Sequence, residues 1–309
     1  MSQTLAFVFP GQGSQQVGML SGLAETHPVI QETFAEASEV LGYDLWDLVQ
    51  NGPEEDLNQT DKTQPALLTA GVALWRLWQA QGGAKPTLVA GHSLGEYTAL
   101  VCAGAIKFTD GVNLVKLRGE FMQQAVPAGT GAMAAILGLA DDAIEKACLD
   151  AEQGDVVSPV NYNCPGQIVI AGQKEAVNRA IDNCKAAGAK RAILLPVSVP
   201  SHCALMKPAA DKMAAELARI EVQLPEINIV QNTTAAVPAS VDELKDNLLA
   251  QLYSPVLWTK SVQHMVEQGI ESTVECGPGK VLSGLNKKIH KPLSVAAIND
   301  AAGLEKALG

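Results

Sequence analysis

Gly91, His92, Ser93, Leu94 and Gly95 place a glycine two positions before and two positions after a serine. Small neighbours at that spacing permit a sharp strand-to-helix turn that lifts a hydroxyl clear of a sheet, the setting of a nucleophilic serine. The flanks agree: 87–91 reads as a buried strand, and a helix-compatible run follows Ser93. A helix opened there leaves the Leu94 N–H able to face an oxyanion forming beside Ser93. The same five residues also occur in ordinary tight turns.

A serine of this kind needs a base, and the chain has five histidines: His27, His92, His202, His264 and His290. His92 lies inside the turn, where its ring points away from Ser93. His264 falls on a helix, and His27 and His290 lie beside surface loops. His202 follows Pro200 and Ser201 and precedes a helix. The dipole at a helix N-terminus disfavours imidazolium, which keeps the ring neutral and able to take a proton. A loop histidine that merely caps the helix is the plainer alternative. No acid is placed to orient the ring: Asp211 is too far along the same helix, and Asp242, Glu243 and Asp246 lie in a polar helix that reads as solvent-facing. A main-chain carbonyl would serve, so Ser93 and His202 form a candidate dyad. Cys203 lacks the glycine-flanked turn and reads as a packed thiol.

Two glycine loops invite a phosphate reading and fail it. The run from Pro10 to Gly18 begins like a dinucleotide fingerprint, but Gln16 occupies its third glycine position. Flexible N–H groups at a strand end remain, and the Gln12 N–H becomes a second oxyanion donor. Gly277, Pro278, Gly279 and Lys280 are preceded by Val274 where a phosphate loop needs its first glycine.

Arg118 is a charge on the wrong side of its helix. At 100° per residue, Leu114, Val115, Leu117, Phe121 and Met122 form one apolar arc, and Arg118 falls inside it. A buried ion needs a partner, because leaving it unpaired costs several kcal/mol. Either a protein carboxylate supplies that partner, or the guanidinium forks onto the carboxylate of a ligand.

The elements that must hold these groups alternate short apolar runs with longer helical patterns, the signature of an α/β protein with a largely parallel sheet. Strands are expected at 5–9, 87–91, 227–232 and 272–276, and helices at 29–41, 65–81, 94–103, 110–125, 207–220 and 258–268. One stretch departs from that rhythm. Strand 132–139, helix 141–152, strand 157–161, a turn at 164–166, strand 168–171, helix 174–187 and strand 191–195 give the βαββαβ order of a ferredoxin-like unit. It predicts a small domain of 130–196 inserted between 1–129 and 197–309, with two crossings able to hinge.

Composition bounds the function. The chain has 309 residues and a net charge of −11, which argues against a nucleic-acid binder. Ten acids precede Lys62, the first basic residue, so the rest of the chain is almost neutral. The opening residues lack the basic charge of a leader, and no apolar run reaches the ~18 residues of a membrane span. Six scattered cysteines without a CxxC pair predict free thiols, no metal site and a cytoplasmic protein.

Together these pieces resemble the malonyl-CoA:acyl carrier protein transacylases of bacterial fatty acid synthesis. The resemblance rests on FVFPGQGSQ at 7–15, TQPAL at 63–67, GHSLGEY at 91–97, Arg118 with Met122, and NYNCPGQIVIAG at 161–172. It continues through VPSH at 199–202, QLYSPVLW at 251–258 and GPGKVLSGL at 277–285. It implies a hydrolase-like large domain, the inserted ferredoxin-like domain, and a site between them. It further implies Ser93 as the acylated nucleophile, His202 as base, and Arg118 as clamp on the malonyl carboxylate. The N–H groups of Gln12 and Leu94 become the oxyanion hole. Gln64, Met122, Asn163 and Gln251 line the substrate, with a main-chain carbonyl near Gln251 orienting the histidine.

The implied reaction moves a malonyl group from malonyl-CoA to the phosphopantetheine thiol of acyl carrier protein. No metal or redox cofactor, nucleic acid or membrane partner is expected, and the chain is expected to be a monomer. Lys185, Lys190 and Arg191 on the small domain and Lys287, Lys288 and Lys291 near the C-terminus are candidate docking charges for the acidic carrier. A serine thioesterase or esterase is the competing enzyme, and a non-catalytic carrier-binding module the competing non-enzyme.

Overall fold

The computed structural model describes residues 4–197 and 199–309. Strands β1 (Leu5–Phe9) and β2 (Leu88–Gly91) pair in parallel at the centre of a five-stranded sheet. A second sheet contains β3 (Gly131–Leu137), β4 (Val157–Cys164), β5 (Gln167–Gln173) and β6 (Arg191–Leu194). The chain then returns to the first sheet with β7 (Asn228–Val230), β8 (Ser272–Glu275) and β9 (Ser294–Ala297). The large sheet runs β7-β2-β1-β8-β9 with every pair parallel.

A parallel sheet has to be covered on both faces, and period-two alternation supplies both. Phe7, Phe9, Val89 and Ile229 face one core, while Ala6, Val8, Ala90 and Val230 face another that includes Trp258 and Val262. Helix Thr60–Ala80 crosses the first core, with most of its length buried. It starts five residues before its proline, which sequence places at the first turn. Pro65 instead sits inside the helix.

The small sheet runs β4-β5-β3-β6 with antiparallel pairs, the ferredoxin-like order. Helices Asp141–Ala151 and Lys174–Ala186 cover one face through Ile144, Val177 and Ile181. The opposite face brings Met133, Val160 and Val169 against Cys203, beside His202. The two chain crossings are not the sole tie to the large sheet. Tyr162 donates its N–H to the Val256 carbonyl at 2.9 Å, and Val256 donates to Val160 at 2.8 Å. The edge of the small sheet is thereby sutured to the segment that leads into helix Trp258–Glu267.

Close backbone approach decides where the functional helices lie. A Cβ on Gly91 would stand 1.9 Å from Gly95 main chain, and one on Gly95 would stand 2.0 Å from the Phe9 carbonyl. Both glycines of the serine turn are thus required by contact with main chain. Gly119, next to Arg118 on helix Phe108–Ala125, abuts the first turn of helix Thr60–Ala80. A methyl there would meet the Asp61 Cα at 2.6 Å, and only parting the helices would make room. Gly119→Ala is therefore expected to lose about 1 kcal/mol or more in urea unfolding, overpacking outweighing the gain in helix propensity. An unchanged or raised stability would contradict this contact.

Candidate active site

The turn after β2 holds Ser93 at φ 53° and ψ −112°, a left-handed conformation unfavourable to a serine. The strand's last bonds hold it there: His92 N–H reaches the Phe9 carbonyl, and Ser93 N–H reaches Asn232 Oδ1 at 2.7 Å. Helix Leu94–Cys102 begins at once. Among the described residues, neither the Leu94 nor the Gln12 main-chain N–H has a protein acceptor. Gly11 approaches the His92 carbonyl so closely that a Cβ would lie 2.6 Å from its oxygen, which sets the Gln12 loop beside the serine turn.

His202 stands 109 residues along the chain and 2.7 Å away, its Nε2 against Ser93 Oγ. Its Nδ1 faces the Gln251 main-chain carbonyl at 2.6 Å. A carbonyl can only accept, so Nδ1 carries the proton and Nε2 is left bare to accept from the serine. The imidazole is buried, and burial, followed by the nearby Arg118 charge, lowers its pKa from 6.5 to about 3. Burial, rather than a helix dipole, is the larger cause: a 3-10 turn at Ala204–Met206 follows His202 and leads into helix Lys207–Leu217. His92 turns away, its Nε2 2.8 Å from Asn163 Oδ1 and its ring 5.6 Å from that of Trp258. Cys203 is a buried thiol against the Pro200 carbonyl, pushed up to about 11 by burial.

Arg118 is 1% exposed and has no carboxylate within 4 Å among the described residues. Its partners are neutral: Nη1 donates to Gln64 Oε1 at 2.8 Å, and Nη2 donates to Gln251 Oε1 at 3.0 Å and Ser93 Oγ at 3.3 Å. The guanidinium carbon lies 5.4 Å from the Tyr97 ring centroid, and among the described residues Nε has no acceptor. Gln64 also donates to Met122 Sδ at 3.7 Å, so Gln64, Met122, Arg118 and Gln251 form one group around Ser93. Asn163 belongs to the small sheet's side, with His92. At the start of helix Val281–Ile289 the Glu275 carboxylate already accepts from the Leu282 and Ser283 N–H groups.

Two site residues were not read from sequence. Asn232 ends the segment after β7 and joins Ser93 N–H to the Gly91 carbonyl. Glu96, in the first turn after the serine, is fully buried and accepts from Gln231, Asn232 and Gln251. A carboxyl in the otherwise apolar run Leu94–Cys102 was the available signal.

A model of the acyl transferase domain family matches residues 6–302. The malonyl CoA-acyl carrier protein transacylase of Escherichia coli K12 is 62% identical over 303 residues, 98% of each chain. The chain belongs to the malonyl-CoA:acyl carrier protein transacylases. An acyl carrier protein S-malonyltransferase structure from Vibrio cholerae matches this transacylase with a TM-score of 0.96 and 63% identity, over 98% and 99% of the two chains. A malonyl-transacylase solved in complex with its type II polyketide synthase carrier protein matches with a TM-score of 0.97 and 60% identity, over 98% of each.

The transacylase's imidazole assignment is testable in solution. Nitrogen-detected NMR at pH 5 should show His202 neutral, with the proton on Nδ1. Two protonated ring nitrogens at that pH would contradict the burial argument.

Proposed function

We propose that Ser93 and His202 carry malonyl from malonyl-CoA to the phosphopantetheine thiol of holo acyl carrier protein by a ping-pong route, supplying fatty acid elongation. The observation that carries the reading is Arg118: a buried guanidinium, 3.3 Å from the nucleophile, whose hydrogen-bond partners among the described residues are neutral. An enzyme for uncharged acyl groups gains nothing from such a cation. A malonyl thioester brings the missing carboxylate, and Gln64 and Gln251 hold the fork ready for it.

In the first half-reaction His202 Nε2 takes the Ser93 proton as Oγ attacks the thioester carbon. The carbonyl oxygen becomes an oxyanion facing the Leu94 and Gln12 N–H groups. The C–S bond then breaks, and the CoA sulfur leaves with the proton returned by His202. The carrier thiol reverses these steps. General-base assistance is worth ~10² to 10⁴ in rate and an oxyanion donor ~10² to 10³. One thioester is exchanged for another, so the reaction is nearly isoenergetic and calls for no metal or redox cofactor. The protein acts as a cytoplasmic monomer, without nucleic-acid or membrane partners. Among the described residues no helix is long and apolar enough to cross a membrane.

The exposed lysines and arginine at 185, 190 and 191, and those at 288 and 291, are the docking charges for the acidic carrier. Lys287 is already engaged with the Leu293 carbonyl. Their joint reversal is expected to raise the apparent KM for carrier at low salt, and an unchanged KM would refute the patch.

Malonyl-CoA should add one malonyl group to Ser93, visible by intact mass, and carrier thiol should remove it faster than water does. Water-driven loss without transfer would indicate a hydrolase. Arg118→Ala should cost malonyl transfer roughly 3 kcal/mol, near a hundredfold, while acetyl transfer holds or improves. Equal losses for both acyl groups would refute the clamp.

A further inference from the structure

Glu96 is buried beside the nucleophile, and the reaction above gives it no part. Its Oε1 accepts from Gln231 Nε2 at 3.0 Å; its Oε2 accepts from the Asn232 N–H at 2.9 Å and Gln251 Nε2 at 3.0 Å. Each amide around it is fixed at its other end. Gln231 donates to the Leu244 carbonyl and accepts from Asn247 Nδ2. Asn232 accepts from Ser93 N–H and donates to the Gly91 carbonyl. Gln251 donates to the Ser93 carbonyl and accepts from Arg118 Nη2.

We propose that Glu96, as a carboxylate, is a positioning residue that sets the Gln251 amide with its oxygen toward Arg118 and so holds the malonyl clamp in register with Ser93. The inference rests on the malonyl-transfer reading of this site. A carboxylate offers only acceptors, and three donors face it; a carboxylic acid would bring a hydroxyl that needs an acceptor. A hydroxyl at Oε2 would face the Asn232 main-chain N–H, which cannot turn, and the Gln251 amide, which can. Turning that amide gives up its bond to the Ser93 carbonyl and presents Nε2 to the guanidinium. Donor then meets donor, and Arg118 loses the acceptor that aims Nη2. A hydroxyl at Oε1 would face Gln231, whose turn is opposed by the Leu244 carbonyl and Asn247. Arg118, Tyr97 and, across Gln251, His202 are the titratable groups that face this network.

Burial raises the Glu96 carboxyl from 4.5 to about 7, against its hydrogen bonds and the Arg118 charge, while His202 is held near 3. The clamp is therefore lost as pH falls through the neutral range, well above the titration of the base. The kcat/KM for Ser93 acylation reports groups of the free enzyme and is the quantity to follow. With wild type between pH 5 and 9, malonyl-CoA should show an acid limb near pH 7, and acetyl-CoA a shallower one. Glu96→Gln should abolish the limb and leave a pH-independent malonyl value about tenfold below the wild-type plateau, the loss matching one unsatisfied buried donor. Gln231→Leu, which removes one donor from the carboxylate, should move the limb to higher pH, and it decides the matter if Glu96→Gln does not fold. A limb retained in Glu96→Gln, or unmoved in Gln231→Leu, would overturn the role of Glu96. A wild-type Ser93 that malonyl-CoA fails to acylate at any pH would overturn the transfer reading itself.

Discussion

A positive charge sealed in the core, with no carboxylate in contact with it among the described residues, is the constraint around which this site is built. Arg118 is surrounded by amide oxygens, a serine hydroxyl and a tyrosine ring, none of which cancels its charge. Neutral partners leave most of the desolvation cost uncompensated, and a substrate carboxylate is the group that relieves it. The same charge acts on the base, helping to keep the His202 imidazole neutral and so competent to take the serine proton. Substrate choice and base readiness thus share one origin.

Holding such a charge in place demands that two helices and a turn approach at main-chain distance. Gly119 lets the helix bearing Arg118 press on the first turn of the helix bearing Gln64. Gly91 and Gly95 let the serine turn sit against its own helix and against β1. Gln251 then joins the parts, since its side chain binds Arg118, Glu96 and the Ser93 carbonyl while its main chain orients His202. One residue therefore spans the clamp and the dyad, which explains why a backbone carbonyl stands where other serine enzymes place an acid.

The parts written in local patterns were legible from sequence. The glycine spacing around Ser93, the apolar runs of β1 and β2, and the βαββαβ order of the small unit each follow from neighbours within a few residues. Arg118 was legible because a charge inside an apolar helical arc is conspicuous. Gln64 and Gln251 came from family resemblance alone, for a lone glutamine carries no local signal. Glu96 escaped because a carboxyl three residues after a serine suits an exposed helix start equally well. Strand β9 escaped because its Ser-Val-Ala-Ala run has no alternation, and the true start of helix Thr60–Ala80 was hidden by Pro65.

Arg118 reads the substrate carboxylate because the Gln251 side chain holds it in place. A double-mutant cycle on malonyl kcat/KM, with Arg118→Ala, Gln251→Ala and the pair, measures that coupling directly. Alanine at 251 keeps the main-chain carbonyl that orients His202. Strong non-additivity is expected, at least about 1 kcal/mol, because Gln251 acts through a guanidinium that the first substitution has already removed. Losses that simply add would contradict it.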